Sequence, residues 1–128
     1  MKRILTFLLC LFLLIGCKKS DNSTSPIIGK WSLHPTTYEL FTNGVITTSS
    51  TQSYQPSDYV EFKNGGMVES KTNGTLYTNT FILEGDNLTF DNTNKAKVTQ
   101  LTSNTLIYFF RDSINPTQYR INTFSLYK

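Results

Sequence analysis

Beyond residue 17 the sequence has no cysteine; the only two in its 128 residues are Cys10 and Cys17. The stretch that follows can form no disulfide and offers no thiolate to a metal. Histidine is nearly as scarce. His34 is the only one, and one imidazole without cysteine cannot build an ordinary zinc site. It also lacks the nearby serine and acid of a hydrolytic triad, and its place before Pro35 at a strand end reads as a solvent-facing loop. Glycine-rich phosphate loops and nucleophile elbows are missing. Glu61 and Glu69 face each other across a hairpin at Asn64–Gly66, an acid/base spacing in principle. With Lys63 and Lys71 beside them they read instead as solvated cross-strand charges. No catalytic residue, metal ligand or cofactor site is therefore expected, and an enzyme is not.

An excess of one charge is lacking as well. The chain has 12 basic and 9 acidic residues, but Lys2 and Arg3 belong to an N-terminal segment that looks removable. Without them the balance is about +1, and no basic cluster survives past Lys18-Lys19. Neither a nucleic-acid surface nor an anionic-lipid patch is indicated. The removable segment is the run Ile4–Ile15, apolar except for Thr6. A basic start followed by about 7–15 apolar residues is an export pattern, and at about 1.5 Å per residue the run is too short to cross roughly 30 Å of hydrocarbon. It ends in Leu14-Ile15-Gly16-Cys17, which resembles the bacterial lipobox. The resemblance implies cleavage between Gly16 and Cys17, with a diacylglyceryl thioether and an N-acyl (palmitate-type) chain on Cys17. Two or more chains hold a protein firmly to a membrane, at about 0.8 kcal/mol per buried CH₂.

Three parts follow: a signal peptide at 1–16, a lipidated flexible tether at 17–26, and one domain at 27–128. Lys18 to Pro26 has no apolar residue to bury, and its nine residues reach roughly 30 Å when extended. In Bacteroidetes lipoproteins a charged stretch after the lipidated cysteine directs export to the cell surface. Lys18, Lys19 and Asp21 resemble it only in part, so the periplasmic side of the outer membrane and the cell surface both stay open.

The domain is rich in Thr, Tyr and Phe and is broken every 8–12 residues by Asn, Gly, Asp or Pro, the pattern of an all-β sandwich or barrel. Strands are predicted near Gly29–His34, Thr37–Thr42, Val45–Tyr54, Asp58–Lys63, Met67–Lys71 and Thr75–Glu84. Four more are predicted near Asn87–Asp91, Lys95–Leu101, Leu106–Arg111 and Gln118–Tyr127. Some of these are halves of one bent strand, which gives eight to ten. Asn43-Gly44 and Asn73-Gly74 supply the positive φ of tight hairpins. All connections are short, so sequence neighbours should pair antiparallel. Val60 and Phe62, Leu88 and Phe90, and Phe124 and Leu126 should face inward, with Tyr77, Phe81 and Leu83 from a less regular strand. Leu106–Phe110 is apolar on both faces, so it should be covered twice or else present its outer face as a contact surface.

Ile28-Gly29-Lys30-Trp31 opens the first of these strands, and Gly-x-Trp there resembles the lipocalin signature. Val60–Met67, Phe81–Phe90 and Ala96–Leu106 extend the likeness. Together they resemble the lipocalin-like domains of Bacteroidetes lipoproteins over nearly all of 27–128. The resemblance implies an up-and-down antiparallel β-barrel whose floor is plugged by Trp31, with Gly29 allowing close entry and Arg120 or Arg111 covering the indole. It also implies a small apolar or amphipathic ligand. Phe62, Tyr77, Phe81, Phe90, Tyr108 and Phe124 are the candidate lining residues, although the same side chains would equally fill a narrow barrel. The Thr-Asp-x-Tyr turn and the paired cysteines of lipocalins are absent. The alternative is a protein-binding or inhibitor-like accessory lipoprotein with a filled core, using loops such as Thr47–Pro56. Asp112-Ser113-Ile114 resembles the Bacteroidetes O-glycosylation motif, in an expected loop, which makes Ser113 a candidate site of O-glycosylation.

Overall fold

A computed structural model describes residues 25–128; the export segment, Cys17 and most of the tether lie outside the described residues. The described chain is all β. β1 (Gly29–Leu33), β2 (Thr36–Thr42), β3 (Val45–Gln52), β4 (Tyr59–Lys63) and β5 (Met67–Thr72) come first. They are followed by β6 (Thr75–Glu84), β7 (Asn87–Phe90), β8 (Asn94–Leu101), β9 (Thr105–Asn115) and β10 (Gln118–Tyr127).

β1 and β2 lie along the same edge of β10, through Ser32↔Tyr127 and Leu33↔Leu126 below and Thr37↔Thr123 to Thr42↔Gln118 above. They are two halves of one bent strand. β3 and β4 pair with β2 and β1 in turn and form a second. Eight strands result, each antiparallel to its sequence neighbour, and the β1–β10 pairing closes them into a barrel. Between the pairs Leu33↔Leu126 and Thr37↔Thr123 the bent strand carries three residues, 34–36, against two on β10. Pro35 has no N–H for the ladder, while the His34 N–H still reaches the Ser125 carbonyl at 2.9 Å. The extra residue shifts the alternation, so Trp31 and Thr36 are both fully buried despite their odd spacing.

Turn chemistry sets the register. In the β2–β3 and β5–β6 hairpins both central residues have positive φ: Asn43 53° and Gly44 78°, Asn73 50° and Gly74 81°. That conformation matches the right-handed twist of the flanking strands. The core occupies the lower barrel: Ile27, Trp31, Phe62, Leu88, Leu106 and Leu126 are each at most 1% exposed. Above it an aromatic column continues, with Phe62 edge-on to Phe81 at 4.9 Å and Tyr108 stacked on Phe124 at 5.2 Å.

Three expectations change. β9 runs on to Asn115, so Asp112–Ile114 is strand rather than loop; Ser113 is exposed and opposite Tyr119. Most of Thr47–Pro56 is likewise strand, and only residues 53–58 connect β3 to β4. The third concerns the strand that is apolar on both faces. All strands belong to one sheet, so Ile107 and Phe109 have no second layer from the described residues. They are half-buried on the outer wall.

Candidate functional site

At the floor the Trp31 indole N–H donates to the Ile27 carbonyl at 2.8 Å. The cation over its ring is Lys128, with Nζ 4.2 Å from the ring, rather than Arg120 or Arg111. Lys128 also donates to the carbonyls of Ile28 at 2.9 Å and Pro26 at 3.2 Å, tying the end of β10 to the chain that enters β1. Gly29 has φ +124°, and a Cβ there would lie 3.3 Å from both Cε and Nζ of Lys128. Arg111 instead lies over the Tyr119 ring at 4.0 Å, and Tyr119 stacks on Phe41. Arg120 is exposed and lines an upper cleft with Tyr38, Leu40 and Asn122.

Above the aromatic column a cavity of about 160 Å³ lies inside the barrel. Its apolar wall is Leu33, Val60, Val68, Phe90 and Phe124. Its polar wall is Tyr54, Ser70, Thr72, Asn79 and Tyr108. None of these ten residues is a carboxylate, an amine or a guanidinium. Of the candidate lining residues, the structure brings together Phe90, Tyr108 and Phe124 at the cavity. Phe62 and Phe81 are buried in the core beneath it. Tyr77 sits opposite Ser70 on the same sheet face, but at the top of the β5–β6 hairpin it is 54% exposed and does not line the cavity.

The polar wall is a cluster of hydroxyls. Tyr54 Oη and Thr36 Oγ1 are hydrogen-bonded at 2.8 Å, and the Tyr38 hydroxyl donates to Gln52 Oε1 at 3.0 Å. Burial, then the nearby Tyr54 phenol, raises the pKa of Tyr38. Tyr108 is 5% exposed. Burial pushes its hydroxyl far above the usual phenol range, with Tyr54 adding to the rise. It therefore stays protonated and can donate. No protein-family model matches the chain, and no curated protein matches it.

The 53–58 connection that carries Tyr54 is held by Asp58, which is 2% exposed. Its carboxylate accepts the Gln55 N–H at 2.9 Å and the Asn73 N–H at 3.0 Å. Asn79, on β6, donates to Asp91 Oδ2, and Asp91 Oδ1 accepts the Thr80 N–H at 2.8 Å.

Glu61 and Glu69 are paired directly across β4 and β5 on the outer wall. Lys63 lies 2.9 Å from Glu69 and 3.9 Å from Glu61. The Tyr59 hydroxyl, donating at 2.7 Å, and then Lys63 hold the Glu69 carboxyl below its ordinary range. His34 is exposed and packs edge-on to Tyr127 at 4.4 Å. Among the described residues no group of three or more His, Cys, Asp or Glu side chains is placed to hold a metal. Sequence reasoning did not name Lys128 at the floor, nor Leu33, Tyr54, Val60, Val68, Ser70, Thr72 and Asn79 at the cavity. For the polar ones on strands the available signal was a polar residue where alternation calls for an inward side chain, as at Asn79.

Proposed function

We propose that this chain is a non-catalytic binding protein that takes a small apolar or amphipathic molecule into its barrel. A lipid on Cys17 would hold it to the outer membrane, on the periplasmic side or at the cell surface. Nucleic acid is not among its partners in this proposal. The observation that carries it is the cavity of about 160 Å³ above the floor, lined by aliphatic and aromatic side chains together with four hydroxyls and one amide. Binding sites for small molecules have this composition: mostly apolar, with a few placed polar groups. Lys128 and Trp31 close the floor, so entry is from the far end.

Native mass spectrometry on protein purified from its producing cells tests this reading, together with backbone NMR during addition of toluene. The expected result is a co-purifying small molecule, or toluene-induced shifts centred on Leu33, Val68 and Phe124. Protein that carries nothing and shows no shifts would overturn it.

A second reading, a protein-binding accessory lipoprotein, is favoured by one feature. β3 ends the sheet, and its eight residues are exposed and uncharged, with Val45 65% and Ile46 49% exposed. Such an edge offers unpaired backbone groups to another strand. Protection of β3 amides from hydrogen exchange in cell extract, with an empty barrel, is the outcome expected for this second reading.

A further inference from the structure

Ser70, Thr72 and Tyr108 each turn a hydroxyl without a hydrogen-bond partner among the described residues to the cavity, and Tyr108 is the most buried of the three. Tyr108 is 95% buried by its 5% exposure, it lines the cavity, and among the described residues no hydrogen bond engages its hydroxyl. The other cavity phenol, Tyr54, is bonded to Thr36. The Tyr108 hydroxyl opens onto the cavity rather than into packed core, so a ligand oxygen placed beside it gains a hydrogen bond worth about 0.5–1.5 kcal/mol.

Two further observations narrow the ligand. The first is charge: none of the lining residues carries one. Arg120 belongs to the upper cleft, so an anion seated in the cavity would be desolvated without a counter-ion. The second is size. A cavity of about 160 Å³ compares with an apolar protein cavity of roughly 150 Å³ that holds benzene. A long acyl chain does not fit this volume; one ring does. The ring would have Phe90 and Phe124 available for aromatic contact.

From these three features, and resting on the binding reading above, we propose that the ligand is a neutral, single-ring-sized molecule bearing one hydroxyl or carbonyl oxygen. Its oxygen is held by the Tyr108 hydroxyl and its ring by the apolar wall. The polar group sits inside the barrel, and the specificity lies in one hydrogen bond rather than in a salt bridge at the mouth.

The test compares toluene, p-cresol and benzoate by NMR titration of the wild-type protein and of Tyr108→Phe, which keeps the ring and removes the oxygen. The wild type is expected to bind p-cresol about tenfold more tightly than toluene, the worth of one buried hydrogen bond. Tyr108→Phe is expected to erase that preference while leaving toluene binding within about twofold. Benzoate should bind weakest to both. If toluene and p-cresol bind the wild type equally, the barrel is still a binding site but the polar subsite is overturned. The strongest binding by benzoate would overturn the neutral class and point to Arg120. If none of the three binds, this inference falls together with the function on which it rests. Unchanged strand amide shifts in Tyr108→Phe establish that the variant is folded.

Discussion

Three residues make the floor, and their roles separate by physics. Trp31 contributes area, Lys128 a charge and three contacts, and Gly29 a backbone conformation. The positive φ of Gly29 (+124°) lies where side chains with a Cβ are strained, while the atoms that a new Cβ would meet are the far end of a flexible lysine. Strain of this kind costs about 1–3 kcal/mol, so Gly29→Ala is expected to lose that much. The exposed Lys128 contributes about 0.5–1 kcal/mol through its cation–π contact, so Lys128→Ala alone is milder. Combining the two shows which effect dominates. If φ dominates, Gly29→Ala costs nearly as much without Lys128 as with it. Urea unfolding followed by emission from the single tryptophan reads both numbers, since Trp31 is fully buried when folded. A neutral Gly29→Ala would mean that the entry to β1 can relax to negative φ.

At the level of elements, two carboxylates pin connections to the barrel. Asp58 joins the 53–58 connection to the β5–β6 turn, and Asp91 joins the β7–β8 turn to β6. The Thr80 backbone N–H, then the Asn79 amide, hold the Asp91 carboxyl below its usual range. Lys97 does the same to Asp86 across β7 and β8. For Asp91 and Asp86 the folded state favours the ionised form. The unfolded state therefore binds more protons as the pH falls, and stability declines with it. The contribution is complete above the ordinary aspartate pKa of about 3.9 and is lost as the pH falls through the lowered folded value. Asp91→Asn is expected to lower the urea midpoint at neutral pH, and the gap to wild type should narrow on acidification to about pH 2. A gap constant with pH would assign the role of Asp91 to shape rather than charge.

The same elements show what was legible beforehand. Asn-Gly pairs and period-two alternation mark β6 and β10 to the residue and most other strands to within one or two, because each signal is local. The upper half of β9 was not legible: Asp112–Asn115 pairs above the packed core with both faces wet, so nothing alternates. Lys128 was missed for a different reason. Its partner lies about a hundred residues away, and only closure of the barrel brings them together. Tyr77 fits the inward pattern yet stands above the rim, since alternation gives a side chain's face and not its height. The cavity itself depends on which inward side chains fail to meet, a property of the closed barrel that no single strand records.

Closure also orients the whole molecule. Ser25 and Pro26 enter at the floor, where the Ile28 N–H donates to the Ser25 carbonyl and Lys128 to that of Pro26. The Asn43-Gly44, Asn73-Gly74 and Thr117 turns lie at the other end, as alternating strand directions require. The proposed lipid on Cys17 precedes the floor, and the proposed entry is at the far end. Anchoring and binding should then be independent. Cys17→Ala is expected to move the exported protein from the membrane fraction to the soluble one, because a chain without its acyl groups has lost about 0.8 kcal/mol for every buried CH₂. Its affinity for p-cresol should match that of wild-type protein in detergent. A variant that stays with membranes would show that something other than Cys17 anchors the chain. A soluble variant with altered affinity would show that anchoring and binding are coupled.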